Sequence, residues 1–179
     1  LEHPCQAMAD IMTIQQHRGE LRGQRVAYIG DGNNTAASLA IACASVGADF
    51  VIAAPPDYQI PTPAWEEANR RASESQSKIG WVELPQQAAR GADVVYTDTW
   101  VSMGQDDETE VRLEAFKEYQ VNEELMSHAK PDALFMHDLP AYEGKEIAPG
   151  MIDHPRSVVF DQAENRLHAQ KAILAGVVT

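Results

Sequence analysis

The sequence predicts a doubly wound, Rossmann-like parallel α/β sheet with helices on both faces. Three observations predict it. Short runs of β-branched and aromatic residues alternate with longer helical patterns along the chain. The strand runs are apolar throughout rather than alternating, as strands covered on both faces are. Three of those runs end in small polar clusters: Gly30-Asp31-Gly32-Asn33-Asn34, Asp98 to Gln105, and His137-Asp138-Leu139-Pro140. In such sheets ligands bind beyond the carboxyl ends of the strands.

Taken in order, His3-Pro4 opens a helical pattern carrying Met8, Ile11 and Met12, with Pro4 suited to a first turn and Gly19 to a stop. Arg25 to Ile29 is a strand. Thr35 to Val46 is an Ala-rich helix ended by Gly47. Phe50 to Ala53 is the next strand, followed by a Pro-rich loop from Ala54 to Pro63 and a polar helix from Pro63 to Ser75. Trp81 to Leu84 reads as a strand and Pro85 to Arg90 as a short helix. Asp93-Val94-Val95-Tyr96-Thr97-Asp98 is a buried strand delivering a carboxylate into the loop that holds Ser102-Met103-Gly104-Gln105. Helices follow at Glu108 to Tyr119 and, capped by Asn122, at Glu123 to Ala129. Ala133 to Met136 is a strand, Ser157 to Phe160 a last strand, and Ala163 to Val177 a closing helix.

Composition narrows the function. The chain has 179 residues and a formal charge of −13, enough for one well-buried domain and the wrong sign for nucleic acid, whose phosphates need clustered Lys and Arg. The two cysteines, Cys5 and Cys43, form no disulfide framework, and nothing suggests secretion, so the expected location is cytoplasmic. No stretch approaches the roughly 20 apolar residues of a membrane span.

The motifs each have a plain reading. Gly30-x-Gly32 opens like a dinucleotide fingerprint, but Thr35 stands at the third glycine and the second strand ends in Ala54-Pro55-Pro56 instead of an acid, which argues against a nicotinamide enzyme. Asn33 and Asn34 could hold a ligand or cap a helix. Asp98 with Ser102 could hold an ammonium group or form a turn. His137 and Asp138 could move protons, or serve a turn before Pro140. His3 and Gln6 sit at a helix start, where free N–H groups favour an anion or a polarised carbonyl. Arg166 is a surface helix charge or a phosphate or carbonyl ligand.

Together these segments resemble the C-terminal, amino-acid-binding half of the ornithine carbamoyltransferases, over essentially the whole chain. The resemblance rests on His3-Pro4-Cys5-Gln6, the Gly30 to Asn34 turn, Asp98 with Ser102-Met103-Gly104-Gln105, Leu139-Pro140-Ala141, and Ala163 to Lys171. It implies transfer of a carbamoyl group from carbamoyl phosphate to the δ-amine of L-ornithine, forming L-citrulline and phosphate. It implies that Asn34, Asp98, Ser102 and Met103 hold the α-amino and carboxylate groups of ornithine. His3 and Gln6 would then contact the carbamoyl group, and Arg166 and Leu139 would complete the carbamoyl phosphate site. Asp138 stands where the family usually has Cys, and Tyr142 where it often has His. Asp138, with His137, is thus the expected catalytic group. No metal or organic cofactor is expected, nor a nucleic-acid or membrane partner.

The phosphate loop of the family, Ser-Thr-Arg-Thr-Arg, is not in this chain. Residues 1–179 are therefore expected to form the ornithine-binding domain, with residues 1–20 and 163–179 as helices bridging to a carbamoyl phosphate domain. The chain alone is expected to be inactive and the full-length protein a homotrimer. A carbamoyltransferase for a related amine such as putrescine or a modified ornithine, and a non-catalytic amino-acid-binding domain, stand as alternatives.

Overall fold

A computed structural model describes residues 2–102, 104 and 106–178. Its centre is a five-stranded sheet, all parallel, built from β1 (Arg25–Ile29), β2 (Asp49–Ala53), β3 (Ile79–Val82), β4 (Val94–Thr97) and β5 (Leu134–His137) in the order β3-β2-β1-β4-β5. The chain winds outward from β1 to β3, then crosses back to β4 beside β1. The switch point therefore lies between the carboxyl ends of β1 and β4, where a ligand crevice forms in such sheets.

The helices are α1 (Pro4–Arg18), α2 (Asn34–Val46), α3 (Thr62–Ser75), α4 (Pro85–Ala89), α5 (Thr109–Phe116), α6 (Glu123–Ser127) and α7 (Val159–Val178). Strand residues alternate between two apolar layers. Val26, Tyr28, Phe50, Ile52, Val94 and Tyr96 pack with Ile14 of α1, with α2 and with Ala68 of α3. Ala27, Ile29, Val51, Val95 and Phe135 pack with Ala88, Phe116 and Leu125 on the other face. The seven strand residues Val26, Ala27, Tyr28, Ile29, Val94, Val95 and Tyr96 are all fully buried, which is why their runs are continuously apolar.

Two predicted strands depart from the structure by more than one residue. The third strand lies at Ile79–Val82, two residues earlier than expected. All four of its residues are only half-buried at the sheet edge, so the apolar signal there is weak. The predicted strand at Ser157 to Phe160 does not form. Ser157 makes a single bridge to Phe135, and α7 begins at Val159. The outer edge of β5 is met by this segment's backbone, Phe135 N donating to Arg156 O at 2.8 Å and Phe135 O accepting from Val158 N at 3.0 Å, and then by the side chain of Gln162, which accepts from His137 N at 2.9 Å.

The opposite end of the sheet is held by Asp93, whose side chain is 3% exposed. It accepts from Arg25 N at 2.9 Å, Arg18 Nη2 at 2.9 Å and Lys130 Nζ at 2.7 Å. This ties β1, β4, α1 and the β5 approach together away from the crevice.

At the crevice end the turn after β1 needs glycine twice. Gly30 has φ +133°, a conformation that L side chains rarely adopt. A Cβ at Gly32 would lie 2.2 Å from Ile60 N and 2.3 Å from the carbonyl carbon of Gln59. The Gly32 N–H donates to Tyr58 O at 2.8 Å across that contact. Gly32→Ala is expected to lower the unfolding free energy by about 3 kcal/mol, since backbone must move to admit the methyl. Urea denaturation of parent and variant measures it, and an unchanged midpoint would contradict the close approach.

Candidate functional site

The three polar clusters meet at the switch point. Asn33 caps α2 with φ −73° and ψ −169°, its Oδ1 accepting from Ala36 N at 3.0 Å. Its Nδ2 is left to donate to Asp98 Oδ2 at 2.7 Å across the β1/β4 gap. Asp98 Oδ1 accepts from Thr99 N at 2.6 Å. Thr35, in the first turn of α2, donates to Asp138 Oδ2 at 3.2 Å, which draws in the end of β5. Asp98, His137 and Asp138 bring donor atoms within 4.8 Å of one another. Such a trio could hold a cation.

The electrostatics favour a cationic group at this point. The Asp138 side chain is 8% exposed, and its Oδ1 has no hydrogen-bond partner. Burial, followed by repulsion from Asp98 and Asp10, pushes its carboxyl well above the usual range. An ammonium group placed there would offset the repulsion between these carboxylates. His137 is less available. Its ring is fully buried, and Nδ1 accepts from Leu139 N at 2.9 Å, which places the remaining proton on Nε2. Nε2 faces the fully buried Glu146, 3.4 Å from Oε1, and that oxygen accepts from Tyr142 N. The imidazole thus braces the turn from His137 to Tyr142, in which Leu139 has φ +59°.

A cleft of about 580 Å³ opens beside these residues, lined among others by Asn34, Ser102, Asp57, Tyr58 and Arg112. Asn34 is exposed at its mouth, so of the two amides Asn33 meets Asp98 and Asn34 faces the opening. Met103 lies outside the described residues. On the α1/α7 side, Arg166 Nη1 donates to Gln6 Oε1 at 2.5 Å. His3 stands close enough to feel both Arg166 and Asp98. Burial and Arg166 lower its pKa, and Asp98 opposes them, which favours a neutral imidazole able to donate to a carbonyl.

A family model described as the Asp/Orn binding domain of aspartate/ornithine carbamoyltransferase matches residues 22–177. The chain belongs to this family. It is 55% identical over 176 residues to an ornithine carbamoyltransferase of Methanopyrus kandleri, covering 98% of this chain and 56% of that protein. It is 51% identical over 176 residues to an anabolic ornithine carbamoyltransferase of Pyrococcus furiosus. The solved structure of the ornithine carbamoyltransferase from Pyrococcus furiosus superposes with a TM-score of 0.93, over 98% of this chain and 56% of that one. The structure of an N-acetyl-L-ornithine transcarbamylase mutant superposes with a TM-score of 0.87 at 29% identity. The chain therefore spans little more than half the length of the carbamoyltransferases it matches.

Sequence reading missed several residues that shape this site. Arg112 on α5 donates to Asp31 Oδ2 at 2.8 Å and to Trp100 O at 3.1 Å, and stacks 5.0 Å from the centre of the Tyr58 ring. Asp31 and Arg112 are each only 9% exposed in their side chains. This pair pins the segment after Asp98 onto the turn after β1. In sequence Arg112 is one charge on a polar helix, and only its spacing of four residues from Glu108 hinted at a partner. Asp10, Glu146 and Gln162 were also missed, and all three are fully buried.

Asp138 provides a pH test. Its folded pKa lies above the unfolded value of 3.8, so the folded state binds the extra proton, and stability falls as pH rises from the unfolded value. Asp138→Asn removes that loss. The variant is expected to be more stable than the parent, with an advantage that widens upward from about pH 4. Urea midpoints across pH measure it. An advantage that is constant or shrinks with pH would show that Asp138 is not held in an unfavourable charged state.

Proposed function

We propose that the protein containing this chain transfers the carbamoyl group of carbamoyl phosphate to the δ-amine of L-ornithine, releasing L-citrulline and phosphate. The observation that carries this reading is the pairing across the switch point. Asp98, held by Asn33, faces Asp138 beside the cleft, while His3, Gln6 and Arg166 gather on the α1/α7 side. One part suits a cationic amino acid, the other a carbonyl and an anion. Membership of the carbamoyltransferase family supports the same division.

In this reading Asn34, Ser102 and Asp98, with Met103, hold the α-amino and carboxylate groups. His3 and Gln6 hold the carbamoyl group, and Arg166 and Leu139 complete the carbamoyl phosphate site. Asp138 receives the side-chain ammonium and takes one proton from it. The freed amine lone pair attacks the carbonyl carbon, the carbon–oxygen bond to phosphate breaks, and phosphate leaves with that electron pair and takes up the second proton of the attacking nitrogen. A carboxylate whose pKa is raised by burial and by Asp98 is a stronger base than an exposed one. His137 supports the step by bracing the Asp138–Leu139 turn.

Residues 1–20 and 163–179 would join this ornithine-binding domain to a carbamoyl phosphate domain, and the intact protein would be a homotrimer. One feature favours a second acceptor. Asp138 replaces the thiol usual in the family, so a related amine such as putrescine or a modified ornithine is the competing substrate.

The test is citrulline formation by the intact protein across a panel of amines. Ornithine is expected to give the highest kcat/KM, and a preference for putrescine or a modified ornithine would overturn the assignment. The 179-residue chain alone is expected to form no citrulline at steady state. Asp98→Ala should lower kcat/KM for ornithine by at least about 30-fold, the loss expected when one partner of a buried charge pair is removed. Asp138→Asn should lower kcat by about 10²- to 10⁴-fold with a smaller change in KM, as expected for loss of a general base. A kcat within a few-fold of the parent would remove Asp138 from the proton transfer.

A further inference from the structure

Between α1 and α7 runs a buried polar seam, and at its centre is a carboxylate that the proposed reaction does not touch. Asp10 is fully buried. Its Oδ1 accepts from Gln6 Nε2 at 2.8 Å and from Gln162 Nε2 at 2.7 Å. Its Oδ2 accepts from the Tyr96 hydroxyl at 3.2 Å, and Gln162 Nε2 also reaches that hydroxyl at 3.0 Å. One turn away on each helix the two amides continue outward. Gln6 Oε1 accepts from Arg166 Nη1 at 2.5 Å, and Gln162 Oε1 accepts from His137 N at 2.9 Å.

A glutamine amide has an acceptor end and a donor end, and rotation by half a turn exchanges them. Every group around Asp10 donates to it. The Asp10 carboxyl holds both NH2 groups inward, and the donor-only Arg166 guanidinium and His137 N–H hold both oxygens outward, so each amide is fixed from both ends. The outward oxygens then meet Arg166 and the end of β5. Further along the same seam, Asn165 Nδ2 reaches Thr13 Oγ1 at 2.9 Å and Gln16 Oε1 at 2.7 Å. Neutral groups alone thus suffice to join the two helices there. A buried carboxylate is costlier than a neutral group. Burial raises the Asp10 carboxyl to about 7 against the pull of its three hydrogen bonds and Arg166. Helix packing by itself gives no reason for that cost.

We propose that Asp10 is a positioning residue for the carbamoyl phosphate end of the site, fixing the orientation of Gln6 and, through its outward oxygen, the guanidinium of Arg166. This inference rests on the carbamoyl-transfer reading above. Asn at position 10 has the same shape but no charge and one donor end, so it weakens the hold on the NH2 end of Gln6 and leaves the pairing with Arg166 fixed from one side only.

The experiment measures steady-state kinetics of the intact protein with carbamoyl phosphate and ornithine varied separately. Parent, Asp10→Asn, Gln6→Ala and the double variant are compared. Asp10→Asn is expected to raise KM for carbamoyl phosphate about tenfold, the effect of roughly one misplaced hydrogen bond to a charged group. KM for ornithine should stay within twofold. In the Gln6→Ala background the same substitution should change nothing further, because its route to Arg166 is gone. Tyr96→Phe removes a contact of Asp10 without affecting the Gln6 amide. It should lower the melting temperature and leave KM for carbamoyl phosphate at the parent value. Should Asp10→Asn fail to fold, Asp10→Ser carries the same measurement. An active parent whose Asp10 variants keep the parent KM, or whose effects add to those of Gln6→Ala, overturns the positioning role alone. A parent that forms no citrulline overturns the carbamoyl-transfer reading and this inference with it.

Discussion

The hydrogen bond from Asn33 to Asp98 is the interaction on which the crevice depends. Parallel strands in the order seen here leave a gap where β1 and β4 diverge into different loops. The Asn33 amide spans that gap at 2.7 Å while its oxygen caps α2. One side chain thus satisfies a helix end and fixes the direction of a carboxylate on the neighbouring strand. Without it, Asp98 would be an acid in a loop, and the α2 start, Thr35 and the Asp138 contact would not share a frame.

Around that bond the molecule concentrates negative charge. Asp10, Asp31, Asp98 and Asp138 all lie near the carboxyl ends of the strands, close enough that several raise the pKa of Tyr28 after burial has done so. Their cations are few. Arg112 is spent on Asp31, and Arg166 is turned toward Gln6. The field therefore divides into an acidic part near Asp98 and Asp138 and a small basic part at Arg166. Such a division suits a cationic group at one end and an anionic group at the adjoining one.

Much of the fold was legible because burial on both faces of a parallel sheet leaves continuous apolar runs, as in Val26 to Ile29 and Val94 to Tyr96. The loops at the strand ends were legible for the same reason, since polar residues interrupt those runs. Ser157 to Phe160 misled because Val158-Val159-Phe160 suits a strand and a helix start equally. What decides between them is Gln162 reaching back to His137, a contact made only in three dimensions. Asn33 and Asn34 could not be ranked from sequence, since the cap geometry alone turns the first inward. Asp10 and Glu146 look like ordinary surface acids of polar segments. Their burial comes from the packing of α7 on α1 and of the 142–147 segment on β5, which no local pattern records. His137 is legible as an ionisable residue, but its role as a brace follows from the direction of the Leu139 N–H.

The absence of a side chain at Gly32 has a mechanical corollary. Backbone there rests directly on Gln59 and Ile60 with no compressible atoms between them, and a hydrogen bond to Tyr58 O locks the contact. That side of the cleft behaves as a stiff anvil. The facing side, around Ser102 and Glu108, is tied to the turn after β1 through the guanidinium of Arg112. Any accommodation of a longer or bulkier ligand must be taken up on that tethered side. Tolerance of ligand size would then be tuned through the tether at Arg112, leaving the floor of the crevice untouched.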